Sequence, residues 1–186
     1  MDAIEALRSR RSIGKLEGDV DDATVRELIE LAVLAPNHRL TEPWRFTVVR
    51  GAARERLGSV WAPLGVAKLP LQGAERAAAL EREAAKLKRA PVLIVVSVRT
   101  DADAVTATED LCAAAAATQN LLIAANAKGL GAMWRTGDMA ESLEVKQFLG
   151  LDPSDRIVAF VYLGAPAMEA PQPKPRSVDA VTRILE

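Results

Sequence analysis

Ala90-Pro91-Val92-Leu93-Ile94-Val95-Val96-Ser97-Val98 sets the frame for the rest of the chain. Beyond the proline, Ser97 is the one polar residue in seven, and four of the others are valine. A strand with one wet face alternates; a continuous apolar run must be covered on both faces. The stretch therefore predicts a buried strand covered on both faces. A long helix is expected next, over about Thr106 to Lys128. Its middle, Leu111 to Ala125, is apolar nearly all round, so it is expected to be buried. Its alanines would let another helix approach closely. Gly129 is placed to end it in a left-handed cap.

Working outward, Ile157 to Leu163 and Trp44 to Val49 read as two more strands, rich in β-branched and aromatic residues. A short strand is expected through Ala132-Met133-Trp134. Asp2 to about Arg10 reads as a short helix with Ile4 and Leu7 on one side. Asp21 or Asp22 caps a second helix, carried on by Val25, Leu28, Ile29 and Ala32 and ended at Ala35-Pro36. Helices are also expected over Ala52 to about Trp61 and Glu141 to Leu149. Ala74 to Lys88 is alanine-rich and of mixed charge, which suggests a solvated helix. It is either a surface element with no task or a mobile cover over a pocket. From Gly164 on, Pro166, Pro171, Pro173 and Pro175 predict an extended tail. Val178, Val181, Ile184 and Leu185 give that tail an apolar face. It is either disordered or wrapped on a second subunit. No internal repeat or domain-sized linker interrupts the chain, so one domain is expected over 1–186, with 165–186 as its tail.

The 186 residues suffice for one domain with a real core. A net charge of −1 argues against a sequence-independent nucleic-acid binder, which needs a basic excess. A single cysteine excludes an intrachain disulfide, and a single histidine excludes a two-histidine metal site. The opening Met1-Asp2-Ala3-Ile4-Glu5 is acidic and short of apolar residues, so no signal peptide is expected there. The alanine-rich stretch is broken by Thr118, Gln119, Asn120, Asn126 and Lys128, too polar for a membrane span. A cytoplasmic location is expected. Gly129-Leu130-Gly131 follows a helix and precedes a strand, the reverse of a dinucleotide fingerprint. No Walker sequence or Gly-x-Ser-x-Gly elbow is present. Cys112 is most simply a small core residue. With no protein-borne nucleophile, difficult chemistry would need a borrowed cofactor.

Three segments could hold one. Arg10-Arg11-Ser12 offers guanidinium forks and a hydroxyl, the chemistry that suits a phosphate; alternatively it is a solvated helix end. Ala35 to Phe46 places Asn37, His38 and Arg39 in a loop between a buried helix and a strand, with Pro43 and Trp44 fixing the strand entry. Gly129 to Gly137 gives a close backbone approach followed by Trp134, Arg135 and Thr136. Trp134 reads equally well as core.

Taken together and in this order, Arg-Arg-Ser, Pro-x-x-x-x-x-x-Pro-Trp-x-Phe and Gly-Leu-Gly-x-x-Trp resemble the FMN-dependent nitroreductase family, and more closely its short single-domain branch. The strand Val158 to Leu163 ending in Gly164, and Lys174-Pro175-Arg176, also match. The resemblance implies an α+β fold: a mixed, mainly antiparallel sheet surrounded by helices in an intertwined homodimer with FMN at the subunit interface. It implies that Arg10, Arg11 and Ser12 contact the phosphate, ribityl chain and pyrimidine edge of FMN. Leu34 and His38 would reach that FMN from the other subunit. Trp134, Arg135 and Thr136 would line its other side, and Lys174 and Arg176 would lie near the phosphate. Arg10 is also the candidate for the positive group at the N1–C2 edge of the flavin. Ala124 to Gly129 matches a stretch sometimes assigned to NAD(P)H. The long helix would form the dimer core and the tail would cross to the partner. The implied activity is transfer of hydride from NADH or NADPH through the flavin to a nitroaromatic, quinone or similar small acceptor, in a ping-pong cycle. No metal and no protein-borne catalytic residue is implied. Alternatives are a different FMN reaction on the same fold, reductive dehalogenation or flavin fragmentation, and a flavin-binding protein without turnover.

Overall fold

In this computed structural model, which describes residues 1–173 and 177–186, the elements follow in the order α1 (Ala3–Ser9), β1 (Leu16–Glu17), α2 (Asp22–Ala32), β2 (Trp44–Arg50), α3 (Ala52–Val66), α4 (Gly73–Ala85), β3 (Val92–Val98), α5 (Ala104–Ala127), β4 (Gly131–Arg135), α6 (Leu143–Phe148) and β5 (Arg156–Pro166). Every residue of β3 is buried. It pairs antiparallel with β2 on one side and β5 on the other, in the order β1-β5-β3-β2, and β4 joins the free side of β5. Among the described residues the one parallel feature is a single bridge between Ser12 and Ala132.

The unbroken apolar run of β3 follows from the two faces it serves. Val92, Ile94, Val96 and Val98 join a core beneath α2 and α5, while Leu93 and Val95 join a second core beneath α3 and α6. β5 divides likewise: Ala159, Val161 and Leu163 face α5; Phe160 and Tyr162 face α3. Trp61 of α3 meets Phe160 edge-on at 5.1 Å between ring centroids. Each face holds ten or more buried apolar side chains, so neither can be wetted without losing a core.

Element ends follow local chemistry. α5 begins at Ala104, before Thr106, because the Asp103 carboxylate accepts from the Thr106 amide and hydroxyl at 2.8 Å each. Those bonds, the amide's foremost, hold the Asp103 carboxyl below the usual range. At the other end Gly129 takes φ +75° and the Leu130 amide reaches back to the Ala125 carbonyl. α3 runs past Trp61 and through Pro63 to Val66, since Ala62 and Val66 lie in the core. Its Gly58 lets α4 approach so closely that a Cβ there would stand 3.2 Å from the Ala84 carbonyl. α6 is shorter than the sequence suggests, starting after a Ser142 cap.

One expectation needs correcting. α5 is not buried all round. Thr108 and Cys112 are exposed, and Ala116, Gln119 and Ile123 are half-buried, at the three-to-four-residue spacing of one open helix face. Cys112 belongs to that face and not to the core. Val178, Val181, Ile184 and Leu185 of the tail are 70–85% exposed.

Candidate functional site

Arg10 closes α1, whose C-terminal carbonyls need donors. Arg11 Nη1 supplies them, donating to the carbonyls of Arg8 at 2.8 Å and Arg10 at 2.7 Å. Asn126 of α5 donates to the Ala6 carbonyl at 3.0 Å and pins α1 to α5. The chain then runs beside β4, with the Ile13 amide bonded to the Ala132 carbonyl. Gly131 permits this contact, since a Cβ there would stand 2.5 Å from Leu16 Cδ2 and 3.3 Å from Ile13 Cβ. Both arginines are half-buried and line a cavity of about 220 Å³ with Asn126, Gly129, Gly131 and Met168. Among the described residues neither is in an ion pair. The C-termini of α1 and α5 both bring carbonyls to this corner, so cations are favoured there before any ligand arrives.

Along β4 the side chains alternate. Trp134 faces α5, half-buried, and its Nε1 donates to the Val158 carbonyl at 3.1 Å. It anchors the strand and also lines an open cleft with Thr136. Arg135 points to the opposite face, where Arg135 and Thr136 share a cavity of about 230 Å³ with Trp61, Lys86 and Tyr162. Burial pushes the Tyr162 phenol up, with Arg135 and then Arg89 acting weakly the other way.

The loop after α2 holds Leu34, 74% exposed, and His38. Asn37 Oδ1 accepts from the Glu42 amide at 3.0 Å and closes the loop on itself. His38 Nδ1 lies 2.7 Å from Glu109 Oε2, and the Thr41 hydroxyl donates to Asp110 Oδ1 at 2.6 Å. Inside it, Arg39, Leu40 and Glu42 have φ of 54°, 54° and 44°.

The structure thus makes two groups of the sequence-predicted residues. Arg10, Arg11 and Ser12 join β4 on one flank of α5, and further along that strand Trp134 faces α5 while Arg135 faces the other side of the sheet. Leu34 and His38 stand on the α2 flank. The Glu109 end of that flank and the Asn126 anchor of α1 are about 25 Å apart along α5 at 1.5 Å per residue. Lys174 and Arg176 lie outside the described residues. The sequence reading missed Glu109 and Asp110, and it had Asn126 only as a polar break and within the Ala124 to Gly129 stretch, not as the anchor of α1. Their signal was polarity in an otherwise alanine-rich helix. Among the described residues no group of histidine, cysteine or carboxylate side chains is placed to hold a metal, and no helix is long and apolar enough to cross a membrane.

Comparison with known proteins bears on this arrangement. The family model described as Nitroreductase family matches residues 7–165. The Bacillus subtilis (strain 168) protein bearing the name NAD(P)H nitroreductase YfhC is 33% identical over 175 residues, 93% of this chain and 88% of that protein. YdjA of Escherichia coli (strain K12), also named an NAD(P)H nitroreductase, is 32% identical over 176 residues and 91% of each chain. Among solved structures, a nitroreductase-like family protein from Bacillus cereus superposes with a TM-score of 0.86 at 28% identity, over 100% of this chain and 97% of its own. A Desulfovibrio desulfuricans nitroreductase solved with FMN gives 0.78 at 26% identity, over 100% and 98%.

Proposed function

The chain belongs to the nitroreductase family of oxidoreductases, and from that premise we propose that it is a homodimeric FMN enzyme. It would carry hydride from NADH or NADPH to a small oxidised acceptor such as a nitroaromatic or quinone. The observation that carries the reading is the split site: Arg10 to Ser12 and Trp134 to Thr136 lie along β4, while Leu34 and His38 stand across α5.

The residues present fit an FMN. Its phosphate is a double anion, and two half-buried guanidiniums with no carboxylate partner line the cavity at the start of β4. Arg10 would bind the phosphate end or the N1–C2 edge, Arg11 would contribute what its cap leaves free, and Ser12 would add a hydroxyl. Trp134, Arg135 and Thr136 would border the ring further along the strand. Lys174 and Arg176 are proposed for the phosphate on sequence grounds alone. When bound, FMN supplies the two-electron chemistry that no side chain here can provide. The protein orients the ring and sets the charge around it. Donor and acceptor would use one face of the ring in turn, hence ping-pong kinetics. Ala124 to Gly129, at the end of α5, is proposed for contact with the nicotinamide nucleotide.

A second copy would complete the site. If two α5 helices met antiparallel on their open faces about a twofold axis near their middle, the Glu109 end of one would face the Asn126 end of the other. The His38 loop of one copy would then approach the Arg10 corner of its neighbour, and the apolar tail would cross to the same neighbour.

The test is the visible spectrum of the purified protein with FMN, before and after anaerobic NADPH and then NADH. A retained yellow colour that bleaches with either nucleotide is expected. A protein that cannot hold FMN would overturn the reading, and one that holds FMN but bleaches with neither would reduce it to a flavin-binding protein.

A further inference from the structure

The loop from Leu34 to Pro43 holds a conformation that its own residues disfavour. Arg39, Leu40 and Glu42 all sit in the left-handed region with none of them glycine. Each is strained there, so the loop keeps its shape only if its contacts hold it. Besides the Asn37–Glu42 bond within the loop, two contacts tie it to a pair of adjacent carboxylates on α5. Asp110 is only 7% exposed, unusual for an acid, and its Oδ1 takes the Thr41 hydroxyl at 2.6 Å. Glu109 Oε2 takes His38 Nδ1 at 2.7 Å. A carboxylate can only accept, so this bond places a proton on Nδ1 and leaves Nε2 as the outward nitrogen of the ring. The histidine side chain is 56% exposed, so the ring is open to the exterior of the protomer.

We propose that Glu109 and Asp110 are positioning residues, a two-point latch that holds the strained His38 loop in the shape needed to complete the flavin site of a second copy. The inference rests on the dimeric FMN reading above and adds residues to it. An unlatched loop would relax out of the left-handed region, and Leu34 and His38 would lose their fixed place. Fixing a loop before binding removes an ordering cost that the complex would otherwise carry. Both carboxylates lie on the helix proposed to meet its copy, so loop and interface are set by the same element.

The experiment compares FMN affinity, by quenching of flavin fluorescence, in the wild type, Thr41→Val/Glu109→Ala, and Thr41→Ser/Glu109→Ala. The first variant releases both points and should bind FMN roughly tenfold more weakly; the serine variant, which keeps the hydroxyl, should recover part of the loss. If Thr41→Val unfolds the protein by stranding Asp110, Glu109→Ala alone carries the test, because its pair is half-exposed. A mixed dimer then asks which site the loop serves. Arg10→Ala is co-expressed with the unlatched variant under two different tags, and dimers holding one of each are isolated. If the loop acts across the interface, one site of each mixed dimer has an intact Arg10 and an intact loop, and it binds one FMN at wild-type affinity. If the loop serves its own protomer, both sites carry a defect and tight binding does not return; that result overturns the proposal, whereas a merely destabilising pair of substitutions would not restore one site in two. Unchanged affinity in the unlatched variant also overturns it while leaving the FMN reading in place. A wild type that binds no FMN overturns both.

Discussion

Arg11 commits Nη1 to the carbonyls at the end of α1, whereas no hydrogen bond or ion pair holds the Arg10 guanidinium among the described residues. The two neighbours should therefore separate by experiment. Arg10→Ala is expected to weaken FMN binding by about 10–100-fold, the loss of one charge-assisted contact, with little change in melting temperature. Arg11→Ala should instead cost about 1 kcal/mol of stability through the lost helix cap, seen as a lower urea midpoint. Equal effects on both measurements would show that the two share one role. Tyr162 gives a second prediction at this scale. Burial raises its phenol above the ordinary value of 10.0. Above about pH 10 the unfolded chain releases this proton while the folded chain keeps it, so the unfolded state binds fewer protons and stability falls as pH rises. Tyr162→Phe should flatten that alkaline limb in urea melts. It is the only tyrosine of the chain, so phenolate absorbance reports its titration without assignment. At the residue scale the sequence showed the arginines, His38 and Trp134 as candidates. It could not show that Arg11 is half occupied as a cap, because Arg10 and Arg11 are both within reach of the helix end and residue type does not say which one turns back to it.

Among the elements, β3 was legible to the residue: expected and observed at Val92–Val98. Buried strands advertise themselves because both faces exclude polar side chains. β1 was not legible, since two residues, Leu16–Glu17, carry no period. α5 shows where reading by composition misleads. Alanine is apolar enough to suggest burial and small enough to be indifferent to it, so the open face at Cys112, Ala116 and Ile123 looks in sequence like the buried face at Ala113, Ala117 and Leu121. That face leads to a prediction at the scale of the element. Cys112→Arg adds a charge where the single chain is already exposed, so the protomer should still fold. It should shift the protein from dimer to monomer in sedimentation and lose FMN with it, since a buried unpaired charge at an interface costs several kcal/mol. A dimer that persists with FMN bound would place the interface elsewhere.

For the molecule as a whole, the sheet with a core on each side is complete within one chain, and the proposed site is not. The Arg10 corner and the His38 loop lie on opposite flanks of α5, and the tail leaves Val181, Ile184 and Leu185 exposed. In the dimer proposed above, a second copy would cover the loop, the open helix face and the tail together.

Local sequence was enough to set the four longer strands, a cap at Asp21 or Asp22, the end of the long helix at Gly129, and the set of residues able to meet an anion. These are set by local rules: side-chain period, hydrogen bonds within one turn, and the chemistry of a guanidinium. Tertiary structure alone decided that Ser12 bridges to Ala132, that Glu109 and Asp110 grip a loop some seventy residues earlier, and that one stripe of an alanine helix stays open. Those contacts join residues far apart in the chain. No local preference encodes them, and they exist only once both cores have closed around the sheet.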